Sequence, residues 1–272
     1  ALGPTPSVGF MIPKMLVSLD LSAPEAVIYA PDTPGKHNVL LKVEPPEYAG
    51  LLDLEALCLD IHREAGFEVP QARRFDKEGL RMLAIERFDR ADGAVLPMES
   101  LFSIIAMGNH DFRESGDILV EEIPGVLSAL AEVANLRSGS GENLYRRVLM
   151  ALLTGNGDMH LDNIALIGGL SDCRLSSIYD PAPMRAWPRH NLVSAIPFDP
   201  AGYANHGAFF VALGRAFRLP RHAVRRCIEE TLDATASYPQ QLLSLSSVPW
   251  PQREGLSSIA ARERKTLAAE TP

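Results

Sequence analysis

The sequence predicts an α+β chain in two lobes, the first rich in β-structure and the second mainly helical. Three observations carry this. The length, 272 residues, corresponds to roughly two domains at about 150 residues each. Short apolar runs broken by turn residues fill the first third of the chain, whereas most of the rest follows helical spacing. The texture changes across RFDRADG, residues 87–93, which sets an N-lobe of residues 1–91 and a C-lobe of residues 92–272.

Within the N-lobe, Met15 to Leu19 and Val39 to Val43 are β-type runs, the second carrying Lys42 and followed by the breaker EPPEY. In LLDLEALCLDIHREAG the residues Leu54, Leu57, Cys58, Ile61 and Ala65 recur at helical spacing, with Gly66 placed to cap the end. Gln71–Phe75 and Leu80–Phe88 are two further β-runs, joined by the turn-forming DKEG.

The C-lobe reads as helices over Met98–Met107, Val126–Leu136, Leu144–Leu153, Ala223–Ala236 and Leu256–Ala269. The last is polar around most of its circumference and is expected to be peripheral, reached through a linker at Ser244–Pro251. One segment departs from the helical texture. Leu144–Leu153 runs into TGNGDMHLDN, then β-runs at Ile164–Ile167 and Arg174–Ile178 flank GGLSDC, and Tyr179-Asp180-Pro181 follows. A helix, a polar loop, a hairpin and an aspartate at the strand exit form a unit suited to building a site.

Composition bounds the partners. Hydrophobic residues make up 46% and charged residues 22%, an ordinary globular balance that excludes a disordered chain. Acidic residues outnumber basic ones by 34 to 26, giving a formal charge of −8, so no global field draws the chain to nucleic acid. Cys58, Cys173 and Cys227 lie far apart without CxxC spacing, which excludes a disulfide framework and a zinc ribbon and suits a reducing compartment. The N-terminal ALGPTPSVGF lacks the pattern of a signal peptide, and no apolar run approaches the ~18 residues needed to cross a bilayer. The expectation is a cytoplasmic protein without membrane or direct nucleic-acid contact. Its start at Ala1 rather than Met suits a processed or cut chain.

Asp158 and Asn163 stand five positions apart in the polar loop, and Asp180 follows seventeen positions later. Metal-dependent phosphoryl transfer needs a carboxylate beside the acceptor hydroxyl and hard oxygen ligands for Mg²⁺ on the nucleotide phosphates. It also needs a lysine on an N-lobe strand and a glutamate on the neighbouring helix to orient it; Lys42 and Glu55 hold those places. Upstream, SVGFMIPK (residues 7–14) is placed to form a flap over the phosphates, though it is poor in glycine.

Taken singly, these signals are weak. An isolated Asp-Met-His more often caps its own backbone, a lone Lys42 is a solvated strand end, and a lone Glu55 is a surface helix residue. A metallohydrolase using Asp158, His160 and Asp162 competes, but it lacks a second histidine cluster and leaves Lys42 and AIERFDR unexplained. Cys58 and Cys173 read as packing thiols, and RLPRHAVRRC (218–227) as a solvated basic helix face.

The ordered motifs NVLLKVEPPEY, the helix with Glu55, AIERFDR, GNGDMHLDN and IYDPAP resemble those of the HipA-like serine/threonine kinases, several of which are toxins of bacterial toxin–antitoxin pairs. The resemblance runs from about Ser7 to Asp180, and more loosely to Tyr238. It implies a two-lobed protein-kinase-like fold and the cofactors ATP and Mg²⁺. By that likeness Asp158 is the catalytic aspartate, Lys42 contacts the ATP phosphates, Asn163 and Asp180 ligate Mg²⁺, and His160 braces the loop. Glu86 to Phe88 would meet the adenine, Asp89 would lie near the ribose, and Ser7 would be an autophosphorylation site. It also implies a protein substrate of the aminoacyl-tRNA synthetase type and a helix-turn-helix antitoxin.

Two departures stand out. HipA-like loops often carry Lys before the metal-binding Asn, where this chain has Asp162, replacing a charge that stabilises the transferring group. The chain also begins almost at the flap, as in short members whose N-terminal subdomain is a separate protein. These leave two alternatives beside a protein kinase: a pseudokinase or ATP-binding interaction module, and a kinase of a small-molecule hydroxyl.

Overall fold

The computed structural model describes residues 12–91, 94–107 and 109–271. The chain opens with strands β1 (Lys14–Leu19) and β2 (His37–Val43), helix α1 (Leu51–Glu64), and strands β3 (Ala72–Lys77) and β4 (Leu80–Glu86). The four strands form an antiparallel sheet in the order β1-β2-β4-β3. The turn between β3 and β4 places Glu78 and Gly79 at φ +55° and +81°, the left-handed pair that a two-residue hairpin demands.

Alternation along these strands sorts their side chains onto two faces. Val17, Leu19, Val39, Leu41, Phe75, Met82 and Ala84 pack on one face, beneath the connection that carries Leu21 and Ala26. Leu83 and Ile85 turn to the other and join Leu51, Leu54, Cys58 and Ile61 of α1. Lys42 is out of phase with Leu41 and pairs in register with Leu83. Its ammonium is therefore driven into the space between sheet and α1, where the residue is fully buried.

A small hairpin of β5 (Arg90–Ala91) and β6 (Ala94–Val95) follows. Beyond it come β7 (Met98–Ser100), α2 (Leu101–Ala106), α3 (Ile123–Val133), α4 (Ser140–Thr154), β8 (Ala165–Ile167) and β9 (Arg174–Leu175). The chain ends with α5 (His206–Ala216), α6 (Arg221–Ala234), α7 (Tyr238–Ser244) and α8 (Trp250–Glu270). A second antiparallel sheet has the order β7-β8-β9.

Helix α4 is the hub. Leu144, Tyr145, Leu149 and Leu153 pack with Phe209 and Phe210 of α5 and Ile228 of α6. Met150 enters a second cluster with α1, Tyr238 of α7, and Leu256 and Ala260 of α8. Each such side chain contributes about 1.5–3 kcal/mol by burial, so the C-terminus of α4, which launches the polar loop, is held from both lobes.

Three expectations are corrected and one helix is added. The stretch 98–107 is not one helix: Met98–Ser100 pairs with β8, and the helix begins only after Ser100, whose hydroxyl accepts from the Ser103 amide. Helix α8 is not peripheral. It buries Leu256, Ala260 and Leu267, and the apolar stripe is disguised in the sequence because Glu263, equally buried, interrupts it. The expected linker at 244–251 shrinks to the short turn between α7 and α8, with Val248 buried in it. Helix α5, unforeseen, carries two glycines and a Phe-Phe-Val run that argue against helix; an Asn205 cap accepting from the Ala208 amide and packing on α8 stabilise it.

Among the described residues no helix is long and apolar enough to cross a membrane. Cys58, Cys173 and Cys227 are all free and buried, and burial pushes the Cys58 thiol up to about 12, as expected of a packing residue. Ser7 and the flap residues before Ile12 lie outside the described residues.

Candidate active site

Four charged side chains meet between the lobes. Lys42 Nζ donates to Glu55 Oε1 at 2.5 Å and to Asp180 Oδ1 at 2.7 Å. Lys14 Nζ donates to the second oxygen of the same carboxylate, Asp180 Oδ2, at 2.8 Å. Lys42 and Glu55 are fully buried. Burial disfavours the Lys42 cation, but the carboxylates of Asp180 and Glu55 outweigh it and raise its pKa. Burial raises Glu55 despite the opposing pull of Lys42. Asp180 is driven the other way: burial opposes its charge, and Lys42 and Lys14 together hold the carboxyl well below its ordinary range.

Asp180 reaches this position through its backbone. It sits at φ +53°, a left-handed conformation uncommon outside glycine and concentrated at functional sites. The strand exit thereby turns the carboxylate back towards the N-lobe sheet.

The polar loop leaves α4 at Gly155 and is built on its own backbone. The Asn156 side chain accepts from the Asp158 amide at 3.2 Å. The Asp158 carbonyl accepts from the His160 amide at 2.8 Å and from the Asn163 side chain at 3.1 Å. This His160 contact is a main-chain one, and its Nδ1 is buried without a hydrogen-bond partner. Because Asn163 spends its amide nitrogen on Asp158, its oxygen is left as the atom that can ligate. Asp158 itself is solvent-accessible, yet cleft walls partly desolvate its carboxyl and raise its pKa; His160 and His190 act against that rise and Asp180 adds to it.

The stretch expected to meet a base runs off β4. The amides of Glu86 and Arg87 donate to the carbonyls of Gln71 and Asn38 at 2.8 and 2.9 Å, and Glu86 Oε1 lies 3.0 Å from His37. The Phe88 ring stacks on Tyr179 with centroids 5.5 Å apart, linking this stretch to the residue before Asp180. Arg87 grips Asp89 through two hydrogen bonds, which overcome burial and lower its pKa.

The structure therefore joins Lys42, Glu55 and Asp180 in one ion-paired cluster that acts on Asp158, which Asn163 contacts, while Phe88 reaches the residue before Asp180. Two participants escaped sequence reasoning. Lys14 ends the expected flap, and its place at the site follows from the β1–β2 register opposite Lys42, which only the structure shows. His190 drew no functional interest, yet it acts electrostatically on Asp158 and holds the N-lobe through a 2.8 Å contact with the Tyr48 hydroxyl. Asp162, the departure in the loop, turns outward: it accepts from Ser100 Oγ at 3.2 Å and lies 3.7 Å from His160.

Among the described residues no group of three or more His, Cys, Asp or Glu side chains is arranged to hold a metal by itself. The donors expected for a metal, the Asp180 carboxylate and the Asn163 amide oxygen, are hard oxygens. That set fits Mg²⁺, which takes few protein ligands and completes its octahedron with water and phosphate oxygens, and it suits neither zinc nor softer metals.

The family model described as the HipA-like C-terminal domain matches residues 7–238. A protein of Sinorhizobium fredii named as a candidate kinase, Y4dM, is 25% identical over 172 residues, covering 58% of this chain and 38% of its own length. A candidate kinase of Haemophilus influenzae is 28% identical over 264 residues, covering 85% of this chain and 74% of the relative. HipA of Shewanella oneidensis, solved with HipB and operator DNA, superposes with a TM-score of 0.63 at 20% identity, over 100% of this chain and 65% of that one. The Helicobacter pylori proinflammatory kinase CtkA superposes at 0.58 and 10% identity, over 92% and 91%. The chain thus spans well under half the length of Y4dM and about two thirds of the Shewanella protein. These likenesses establish the two-lobed α+β kinase fold expected from the sequence.

Proposed function

The chain belongs to the HipA-like C-terminal domain family, and from that premise we propose that it is an ATP- and Mg²⁺-dependent kinase of a protein serine or threonine hydroxyl. The observation that carries this reading is the convergence of Lys42, Glu55 and Asp180 in one ion-paired cluster beside Asp158. A buried lysine held by a helix glutamate is a fixed positive charge for phosphates. The Phe88 amide is the donor for the adenine, since those of Glu86 and Arg87 are engaged.

Asp180 and Asn163 would hold Mg²⁺, which neutralises charge on the transferring phosphoryl group when bound. Asp158 orients the acceptor hydroxyl and takes its proton; a carboxyl with a raised pKa is a better base than an ordinary aspartate once ionised. Lys14 and Lys42 present two ammonium groups to the phosphates, so positive charge absent from the Asp162 position is supplied from β1. This favours active phosphoryl transfer over a binding module without turnover.

A DNA-binding antitoxin is the partner in keeping with the Shewanella HipA complex, and any link to DNA would then be indirect, in line with the net charge of −8. Growth arrest through an aminoacyl-tRNA synthetase is the physiological role this reading implies. The deciding experiment supplies γ-labelled ATP and Mg²⁺ to the protein with a bacterial lysate. Label on the protein or on a discrete lysate band, lost in folded Asp158→Ala and Asp180→Ala, supports the kinase. ATP binding without transfer to any protein or small-molecule hydroxyl overturns it.

A further inference from the structure

The cleft is supported from beneath by a buried ion pair that no step above uses. Arg185, five residues after Asp180, is 4% exposed, and Glu263 of α8 is 2% exposed. The Arg185 guanidinium meets Glu263 Oε1 at 3.2 Å and donates through Nε to the Asn191 side chain at 3.2 Å. Glu263 also receives Arg262 at 3.0 Å on Oε1 and His206 at 3.2 Å on Oε2. Its carboxylate is thus shared by three cationic or protonatable side chains, while Arg185 Nη1 is buried without a hydrogen-bond partner.

What Arg185 touches gives the pair its meaning. Its backbone amide donates to the Gly155 carbonyl at 3.2 Å, the point where α4 releases the catalytic loop. A Cβ added to Gly157, immediately before Asp158, would lie 3.2 Å from Arg185 Cγ and 2.0 Å from the Leu192 carbonyl oxygen. One side chain therefore underlies both Gly157 and, through Asn191, the 188–192 segment that brings His190 towards Asp158.

Resting on the kinase reading above, the geometry points to Arg185 as a positioning residue for Asp158, held in place by Glu263. A buried guanidinium is rarely retained for stability alone, because replacing such a pair by apolar side chains of similar volume is often neutral or stabilising. Here the arginine has what an apolar side chain lacks: a rigid planar fork that fixes the loop segment at Asn191 and the last helix at Glu263 relative to one another. Helix α8 thereby becomes part of the catalytic apparatus, though it contributes nothing to the cleft itself.

The test compares wild type with Glu263→Gln and with the double variant Arg185→Met/Glu263→Leu, which leaves no buried charge and carries the test if the single variant does not fold. Three quantities are read: ATP affinity by titration, turnover with γ-labelled ATP, and hydrogen exchange at the amides of Asn156, Gly157 and Asp158. The expected result is ATP affinity within about threefold of wild type, turnover lower by about a hundredfold, as for a displaced reacting group, and faster exchange at those three amides. Unchanged turnover and unchanged exchange in the double variant would reduce the pair to a clip for α8 and overturn the inference. If wild type transfers no phosphoryl group, the kinase reading fails on its own, and the exchange measurement still decides whether Arg185 and Glu263 fix the loop.

Discussion

Lys14 and Lys42 are cross-strand partners in the β1–β2 register, and a single carboxylate, Asp180, ties both of their ammonium groups. Two like charges directly opposite on one face of a sheet repel. The pair persists because Asp180 comes across from the other lobe and stands between them. Nucleotide phosphates carry the same sign as that carboxylate and would take its place, freeing Asp180 oxygens for a metal.

Lys14 should therefore matter where Asp162 does not. Lys14→Met is expected to lower turnover by about a hundred- to a thousandfold, in line with removing one donor from a transition-state cradle, and to weaken ATP binding. Asp162→Ala, whose side chain is half-exposed and turned to Ser100, should leave both within about twofold, as surface changes usually do. ATP titration and initial-rate measurements on the two variants check this; the reverse ranking would restore Asp162 as the decisive departure.

Glu55→Gln removes the helix partner of Lys42 at a fully buried site. Breaking one side of a buried ion pair costs about 3–5 kcal/mol. Asp180 still faces Lys42 at 2.7 Å, so the lower end, about 3 kcal/mol, is expected from denaturant unfolding. Turnover should fall as well, because Lys42 would then follow Asp180 alone.

Much of this was legible from the sequence, and the omissions have physical causes. The strands around Lys42, the helix around Glu55 and the β3–β4 hairpin lie within two residues of their predicted bounds, because alternation, helical spacing and turn chemistry agree there. The loop spacing also matches the one direct link found there, the Asn163 side chain donating to the Asp158 carbonyl. Lys14 was hidden because its role depends on a strand register, and register is not local information. Helix α8 was misjudged because Glu263 and Ser257 occupy buried positions, so burial and hydrophobicity part company. Arg185 carries no local signal, because the partner that buries it, Glu263, lies 78 residues away.

The Asp158 carboxyl links stability to pH with a definite sign. Partial desolvation raises its folded pKa above the ordinary 3.8, so between 3.8 and that raised value the folded state binds more protons than the unfolded one. Stability from this group is therefore present at the acid end and is lost as pH rises through the folded value. Asp158→Asn should be more stable than wild type at neutral pH, with the advantage shrinking on acidification, while abolishing transfer. Paired unfolding curves across pH test this, and an advantage growing towards acid would contradict the desolvated setting.

Gly157 is a point where any side chain is refused. A Cβ there would fall 2.0 Å from the Leu192 carbonyl oxygen, a backbone atom that moves only with its segment. Gly157→Ala should cost about 1–3 kcal/mol, as overpacking does, and reduce turnover far more than ATP affinity, since Asp158 is displaced while Lys42 is not. Equal losses in both would place the damage in the fold as a whole.

Tyr48→Phe removes a hydrogen bond between the lobes. The Tyr48 hydroxyl meets His190 at 2.8 Å, while the ring packs edge-on to Trp187 at 5.4 Å and receives the Arg189 guanidinium at 4.7 Å. A phenylalanine keeps both ring contacts and loses the bond to the imidazole, at a cost of about 1 kcal/mol. The 188–190 turn carries His190, which acts electrostatically on Asp158. The expected outcome is a higher KM for the phosphorylated protein, an unchanged Kd for ATP and a small drop in melting temperature. A change confined to ATP binding would place Tyr48 in the nucleotide site instead.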